Sequence, residues 1–405
     1  MARKRKVERN SQNSRGYRQD PYQGQYNQPP YNQGQYGQDS YNQYSQGAYG
    51  QENYYEQQPN VAAKAKKRRT RRRVLFAVEV LILLILAVGI YVASKLDKVQ
   101  KKDVSEDDII INEEISSEEA EVLSGYTNIA LYGIDSREGK LDIEAHSDTL
   151  MIASINNKTK EIKLVSVYRD TYLDNTNGEY RKATECYYFG GPERSMNMLN
   201  KNLDLNIKDF VTVDFGVLAD VVDELGGIEI DVQEDELTHL NNYQVEGSQV
   251  TGKEIVTVES AGLQTLNGLQ TLSYCRIRYT EGNDFKRSER QRTVLEKIIA
   301  KAKTTDLLTL NSIIDKVAPD LLTSLSTAEI LSLAKDVASY DMGETTGFPF
   351  DYQTANISAG DCVVPVNLSN NVLQLHQWMF GSNGYTPSST VQEISNTIIN
   401  NTGIQ

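Results

Sequence analysis

The sequence Thr149-Leu-Met-Ile-Ala-Ser-Ile155 is followed by a polar turn, Asn156-Asn-Lys-Thr-Lys160, and by Glu161-Ile-Lys-Leu-Val-Ser-Val167. Short apolar runs rich in β-branched residues on both sides of a polar turn predict two buried strands that pair as a hairpin. A third run of this kind, Asn128-Ile-Ala-Leu-Tyr-Gly133, precedes them. We therefore expect these three strands to begin a β-sheet.

Helical and strand patterns alternate after this hairpin, and Gly226-Gly227 ends one of the predicted helices. The predicted elements are a helix at Pro192–Leu203, a strand at Phe210–Val213, a helix at Phe215–Leu225, a strand at Ile228–Val232, a short helix at Asn267–Leu272 that leads into a strand carrying Arg276 and Arg278, and a long amphipathic helix at Arg287–Lys303. This alternation predicts an α/β fold: a single large outer domain with a mixed central sheet flanked by helices.

The composition predicts six segments. The apolar run Val74–Ser94, whose only charge is Glu79, is long enough for one helix to cross a bilayer, and the basic cluster before it orients the N-terminus to the cytoplasm. A cleaved signal peptide is disfavoured because 73 residues precede this run. The segments are a disordered Tyr/Gln/Asn-rich cytoplasmic tail (1–63), a basic juxtamembrane cluster (64–73), a single-pass transmembrane helix (74–94), an acidic linker or stalk (95–126), an extracellular domain (127–381) and a weakly ordered polar C-terminal tail (382–405).

The net charge of −13 is unevenly distributed. Residues 1–73 contain 15 Lys and Arg against 5 acids, whereas residues 95–405 carry a net charge of −22. A domain this acidic repels nucleic acid, so we expect no nucleic-acid partner. Six cations nevertheless lie between Arg276 and Arg292. Because arginine matches phosphate oxygens with a planar fork, and alternate strand residues share one side, this cluster predicts a site for a phosphate-type anion instead of a solvated basic face.

Cysteine and histidine usage argues against other kinds of site. The three cysteines show no paired spacing, so no disulfide framework is predicted, although one disulfide among them stays open. The three histidines are too widely spaced for a zinc site, and the chain has neither a Gly-x-Ser-x-Gly elbow nor a Walker loop. These residues are Cys186, Cys275, Cys362, His146, His239 and His376.

Nine local patterns occur in a fixed order between Asn128 and Phe380. They are Gly133-Ile-Asp135-Ser-Arg137, Ser147-Asp148-Thr149, Ser166-Val-Tyr-Arg169-Asp170-Thr171, Lys182, Gly190-Gly-Pro-Glu193, Val213-Asp-Phe215, Glu224-Leu-Gly-Gly-Ile228, Leu266-Asn-Gly-Leu-Gln270, and Asp284-Phe-Lys-Arg287 with Arg290-Gln-Arg292. Together they resemble the LytR-CpsA-Psr family of membrane-anchored glycopolymer transferases. The match covers nearly the whole outer domain.

The resemblance implies a specific activity. Such proteins move an anionic glycan, of teichoic acid or capsular type, from undecaprenyl pyrophosphate to peptidoglycan through a phosphodiester. By the resemblance, Arg169, Arg276 and Arg278 hold the pyrophosphate and act in catalysis with Asp148, while Asp135 and Asp148 hold Mg²⁺, with Mn²⁺ as the alternative. The predicted substrate-binding residues are Arg137, Lys182, Asp170, Asp284, Arg287, Arg290, Gln291 and Arg292. The general base stays open between Asp148, Asp170 and another carboxylate.

The chemistry of these residues agrees with that expectation, since transfer at a pyrophosphate depends on positioning and on neutralising charge. The chain departs from the family pattern at His146, Tyr168 and Lys286, where arginine, proline and glycine are usual. The apolar faces of Val217–Leu225 and Val294–Ala300 could line a lipid pocket or simply pack in the core. A lipid-pyrophosphate hydrolase and a non-catalytic lipid-pyrophosphate binder or envelope regulator are the alternative functions.

Overall fold

A mixed sheet of seven strands lies at the centre of the computed structural model, which describes residues 82, 94, 95, 97–134 and 141–405. The strands of the described chain are β1 (Gln100–Lys101), β2 (Tyr126–Ile134), β3 (Ser147–Asn156), β4 (Glu161–Val167), β5 (Tyr172–Asp174), β6 (Tyr180–Lys182), β7 (Asp209–Asp214), β8 (Ile228–Val232), β9 (Gly262–Leu266), β10 (Leu321–Thr323), β11 (Asp341–Phe348), β12 (Tyr352–Ile357) and β13 (Gly360–Pro365). The central order is β1-β10-β7-β2-β3-β4-β11, which confirms the predicted α/β class with a mixed sheet.

Helices flank this sheet, and some of them also share a second buried hydrophobic cluster with β8 and β9. They are α1 (Ser117–Ser124), α2 (Ala183–Leu203), α3 (Phe215–Glu224), α4 (Glu234–Thr251), α5 (Gly268–Arg276), α6 (Asn283–Ala302), α7 (Leu307–Val317), α8 (Thr327–Lys335), α9 (Leu368–Phe380) and α10 (Ser389–Thr402). The predicted helices at 192–203, 215–225 and 287–303 are confirmed within α2, α3 and α6. The predicted strand at 228–232 is β8, but it pairs with β9 outside the central sheet.

The predicted hairpin forms the middle of the sheet. β3 pairs antiparallel with both β2 and β4, and β7 is parallel to β2. Successive residues of a strand point to opposite faces. Ala130, Tyr132 and Ile134 of β2 accordingly enter the main core, where α2, α9 and α10 pack, whereas Leu131 and Gly133 line a cavity on the opposite face.

The predicted acidic linker and polar C-terminal tail are both wrong, because each packs on the domain. In α1, Leu123 is 1% exposed, and Oε1 of Glu119 lies 2.6 Å from Nδ1 of His376 in α9. In α10, Val391, Ile394 and Ile398 are buried against the main core. Their spacing of three and four residues places them on one apolar helix face. The surrounding Ser, Asn and Thr make the average composition of this segment polar, so composition alone does not reveal that face.

The predicted strand carrying Arg276 and Arg278 is also wrong. Asn267 and Gln270 form a capping box that starts α5, and the helix runs to Arg276 instead of ending at Leu272. Ile277 ends the helix in an extended conformation, and Arg278 follows in the loop before α6. The two arginines therefore do not alternate along one strand.

The three cysteines are free and buried, so no disulfide joins any two of them. The predictions for residues 1–63, 64–73 and nearly all of 74–94 lie outside the described residues and stay predictions. No helix within the described part of the chain is long and apolar enough to cross a membrane.

Candidate active site

Four strand ends meet at one edge of the central sheet. β2 ends at Ile134, β4 at Val167 and β7 at Asp214, while β3 begins at Ser147. The pairing directions place these ends side by side. Asp148, the second residue of β3, therefore lies next to Arg169, which follows β4.

Asp148 is the centre of an arginine cluster. Its Oδ1 accepts a hydrogen bond from NH1 of Arg169. Its Oδ2 lies 3.6 Å from NH2 of Arg287 and 3.9 Å from NH2 of Arg278. Arg287 also donates from NH2 to the Asp148 carbonyl oxygen at 2.6 Å. Three guanidinium groups around one carboxylate leave an excess of positive charge, which suits a multiply charged anion.

Asp284 is the second carboxylate of this cluster. Its Oδ1 lies 3.1 Å from NH1 of Arg287 and 3.3 Å from Nε of Arg278. Gly282, with φ of 92°, turns the chain into α6 in a conformation that L side chains rarely adopt, so the first turn of α6 lies over the cluster. Burial lowers the pKa of Arg287, and the neighbouring Asp148 opposes that shift. Its two carboxylate partners hold this buried guanidinium in place.

Arg276 lies elsewhere in the same cleft. Its NH2 is 3.1 Å from Oε1 of Glu246, and its guanidinium carbon is 5.8 Å from the centre of the Tyr243 ring. Both partners are on α4, and sequence reasoning missed them, since only their three-residue spacing on one helix face could have indicated them. The cleft has a volume of about 310 Å³ and is lined by Asp148, Tyr243, Glu246, Cys275, Arg276, Arg278, Tyr279, Arg287 and Gln291.

Asp170 and Lys182 extend the cluster on the far side of Arg169. Oδ1 of Asp170 lies 3.2 Å from Nζ of Lys182 and 3.7 Å from Nε of Arg169. The Arg169 guanidinium therefore stands between two carboxylates, Asp148 and Asp170. The predicted site residues Asp148, Arg169, Asp170, Lys182, Arg278, Asp284 and Arg287 form one connected network.

Arg290 and Arg292 are not part of this network. Arg290 donates from Nε to Glu236 at 2.6 Å and from NH1 to the Ile277 carbonyl at 3.1 Å, which ties α6 to α4. An α-helix advances about 100° per residue, so Arg292 points about 140° away from Arg287. Burial lowers the pKa of Arg292, and Tyr168 opposes the shift. Helical geometry thus separates cations that sequence proximity grouped together.

Two predicted site residues, Asp135 and Arg137, lie outside the described residues. The described ranges contain no group of three or more His, Cys, Asp or Glu side chains that could hold a metal ion. His146, which stands where the family pattern has arginine, stacks its ring on Tyr188 at 4.9 Å.

An apolar cavity of about 240 Å³ adjoins the polar cleft. β2, β3 and β7 line one side of it, and Leu218, Val294 and Leu295 line the other. Cys275 and Gln291 line both the cavity and the polar cleft, so the two spaces share a wall. Burial raises the pKa of Cys275 to about 12, which keeps the thiol neutral. A charged cleft next to an apolar cavity suits an amphiphile with an anionic head.

Comparison with known proteins agrees with this geometry. The LytR_cpsA_psr family model matches residues 87–362. The chain is 32% identical over 238 residues to the polyisoprenyl-teichoic acid–peptidoglycan teichoic acid transferase TagU of Enterococcus faecalis, covering 55% of this chain and 72% of that protein. It is 29% identical over 236 residues to the corresponding transferase TagT of Bacillus subtilis, covering 57% of this chain and 70% of that protein.

Solved structures show the same fold. A Streptococcus agalactiae protein superposes with a TM-score of 0.56 at 22% identity, covering 68% of this chain and 95% of that one. An Enterococcus faecalis protein described as a transcriptional regulator superposes with a TM-score of 0.52 at 23% identity, covering 69% of this chain and 95% of that one.

Proposed function

Since this chain belongs to the LytR-CpsA-Psr family, we propose that it is a membrane-anchored phosphotransferase that moves an anionic glycopolymer, of teichoic acid or capsular type, from a polyprenyl pyrophosphate to peptidoglycan. The observation that carries the proposal is the arginine-lined cleft around Asp148, which shares Cys275 and Gln291 with an apolar cavity. The names of the curated relatives agree with this activity.

The donor would bind across both spaces. Its pyrophosphate would replace part of the contact between Asp148 and the surrounding guanidinium groups, and its prenyl chain would enter the cavity between the sheet and α6. A cavity of about 240 Å³ holds only part of an undecaprenyl chain, so the remainder would extend toward the membrane. A predicted transmembrane helix at 74–94, with the N-terminus in the cytoplasm, would keep the domain near such a lipid.

The reaction joins an acceptor hydroxyl to the phosphorus that carries the glycan. A new phosphorus–oxygen bond forms to the wall sugar, the bond to the bridging oxygen breaks, and prenyl phosphate leaves. Arg169, Arg278 and Arg287 would neutralise the charge that accumulates on the leaving and equatorial oxygens. Because Asp148 and Asp284 already hold these guanidinium groups in place, little reorganisation is needed at the moment of transfer.

Mg²⁺, with Mn²⁺ as the alternative, is part of this proposal. The described guanidinium groups that face Oδ2 of Asp148 lie 3.6 and 3.9 Å away, beyond hydrogen-bond distance. Oδ2 can therefore be a metal ligand, with pyrophosphate oxygens, water and Asp135 as the other ligands expected for Mg²⁺. Such an ion would neutralise pyrophosphate charge.

The test is transfer by the full chain in detergent, with a prenyl-pyrophosphate-linked glycan, Mg²⁺ and nascent peptidoglycan strands. Polymer-bound glycan that disappears with EDTA and with Arg278→Ala is the expected result. Release of prenyl phosphate without a polymer product would favour the hydrolase. Bound lipid with neither product would overturn both enzymatic functions and leave the binder.

A further inference from the structure

A third cavity, of about 430 Å³, opens beside Arg169. We call it the hairpin cleft, because the β12–β13 hairpin forms one of its walls. It is lined by Tyr168, Arg169, Asp170, Asn283, Asp284, Phe285, Thr354, Ala355, Asn356, Asp361, Cys362 and Val363. The network around Asp148 borders it through Arg169 and Asp284, yet the donor site described above does not use it.

Helix α6 fixes the order of the three spaces. Residues 283–285 line the hairpin cleft, residues 287 and 291 line the polar cleft, and residues 291, 294 and 295 line the apolar cavity. With a rise of about 1.5 Å per residue, Asp284 and Leu295 lie about 16 Å apart along the helix axis. Along α6, the hairpin cleft and the apolar cavity therefore lie at opposite ends of the polar cleft.

This order matches the geometry of phosphoryl transfer. The attacking oxygen and the leaving oxygen are roughly in line at phosphorus, so the acceptor must approach from the side opposite the leaving group. In the proposed reaction the leaving group is prenyl phosphate, whose chain would lie at the cavity end of α6. The attacking hydroxyl must then come from the end occupied by the hairpin cleft.

The walls of the hairpin cleft have the chemistry of a saccharide site. Two wall residues, Tyr168 and Phe285, have ring centres 4.6 Å apart, and the Phe285 ring also stacks at 4.6 Å on Tyr352, which does not itself line the cleft. On the hairpin wall of the same cleft, Nδ2 of Asn356 donates to Oδ1 of Asp361 at 2.5 Å, and both side chains are exposed. Aromatic faces suit the apolar face of a sugar ring, while amide and carboxylate groups pair with its hydroxyl and acetamido groups.

Tyr168 is a feature of this chain, since the family pattern has proline there. Its side chain lies over Gly347 in β11, where any Cβ would overlap the phenol ring. Gly347 has no left-handed φ, so the backbone does not require glycine at this position. Glycine at 347 therefore makes room for an aromatic ring in the wall of the hairpin cleft.

We propose that the hairpin cleft binds the N-acetylated amino-sugar acceptor, with its ring against Tyr168 and Phe285 and its polar groups on Asn356 and Asp361. This inference rests on the proposed transfer. The acceptor hydroxyl attacks the glycan-bearing phosphorus, the bond to prenyl phosphate breaks, and Asp170, which lines the cleft beside Arg169, takes the hydroxyl proton.

The test uses the full chain in detergent, a peptidoglycan tetrasaccharide of N-acetylglucosamine and N-acetylmuramic acid, and the double variant Asn356→Ala, Asp361→Asn. The matched control is Glu393→Gln, Asn396→Ala, which removes an acid and an amide exposed on α10. We expect the hairpin variant to raise the acceptor KM about tenfold, as the loss of one or two hydrogen bonds predicts, without changing the affinity for octaprenyl pyrophosphate. Equal acceptor KM values in the two variants would overturn the proposal.

Direct binding separates this proposal from the transfer itself. Equilibrium dialysis of the labelled tetrasaccharide is expected to show saturable binding to the wild-type chain and to the control, and weaker binding to the hairpin variant. If none of the three proteins transfers glycan, this binding pattern still supports a saccharide site, while the proposed transferase activity is contradicted. Tetrasaccharide binding that is absent from the wild type, or equal in both variants, contradicts the saccharide site whether or not transfer occurs.

Discussion

Arg169 donates to Asp148 at the point where the end of β4 meets the start of β3. The Nε of Arg169 lies 3.7 Å from Asp170, and both residues line the hairpin cleft, whereas Asp148 lines the polar cleft. The contact between Arg169 and Asp148 thus joins the two spaces between which the transferred phosphoryl group would lie in the proposed reaction. Its position depends on the pairing of β3 with β4, which brings residues 148 and 169 together.

Replacing Arg278 is expected to slow transfer more than it weakens lipid binding. Arg278 is less enclosed than Arg287 and contacts both carboxylates of the cluster, so Arg278→Ala removes charge stabilisation without emptying a core position. We expect kcat to fall by about 10²-fold. Arg278→Lys keeps the charge but loses the planar fork. Its kcat is expected to lie between those of the wild type and Arg278→Ala.

The matched control for Arg278→Ala is Arg181→Ala. The two side chains are 38% and 42% exposed, but Arg181 pairs with Glu179 and Glu185 away from the cleft. Steady-state transfer kinetics with both variants make the comparison. Equal kcat values for the two would mean that Arg278 does not act on the reacting phosphate.

Filling the apolar cavity is expected to exclude long prenyl chains. Met151 lies on the cavity wall in β3, and Met151→Trp places a larger ring in a space of about 240 Å³. We expect affinity for octaprenyl pyrophosphate to drop at least about tenfold, with a smaller loss for geranyl pyrophosphate, because burial contributes about 0.8 kcal/mol per methylene. Met151→Leu, which nearly conserves volume, is the control. Identical losses for both lipids would place the prenyl chain elsewhere.

The Cys275 thiol is expected to resist alkylation in the folded protein. Burial raises its pKa from 9.0 to about 12, so little thiolate forms near pH 8.5. Between pH 9.0 and about pH 12, the unfolded chain loses the Cys275 thiol proton while the folded chain keeps it. The contribution of Cys275 to folding free energy is therefore neutral below pH 9 and becomes increasingly unfavourable as the pH rises.

Mass spectrometry after iodoacetamide treatment, with and without denaturant, measures this protection. Cys275→Ala is expected to flatten the loss of stability above pH 9 in a thermal melt. Rapid modification of Cys275 in the folded chain at that mildly alkaline pH would contradict the buried position.

The segment before β2 is expected to contribute to stability. Glu119 in α1 is 4% exposed, and its Oε1 accepts from Ser382 at 3.1 Å in addition to its contact with His376. Glu119→Ala leaves the His376 and Ser382 side chains buried without this acceptor. We therefore expect it to lower the free energy of unfolding by about 3 kcal/mol. Glu118→Ala, an exposed neighbour on the same helix, is the control in urea unfolding. Equal urea midpoints for Glu119→Ala and Glu118→Ala would instead support the interpretation of this segment as a linker.

The sequence by itself determined the three central strands, the helices at 192–203, 215–225 and 287–303, and the α/β class. Apolar periodicity is a local property, so these elements follow from neighbouring residues. The ordered motifs also identified the family and the residues Asp148, Arg169, Arg278 and Arg287. Composition misassigned residues 95–126 and 382–405, because a few apolar side chains at helical spacing bury a segment whose average is polar.

Only the tertiary structure decided which cations act together. Arg287, Arg290 and Arg292 are close in sequence, yet the turn of α6 directs them to Asp148, to Glu236 and toward Tyr168. Strand pairing brought residues 148 and 169 into contact, and α4 supplied Glu246 to Arg276. The order of the three cavities along α6 has no counterpart in the sequence, since it depends on how the sheet edge, the hairpin and the helix pack in space.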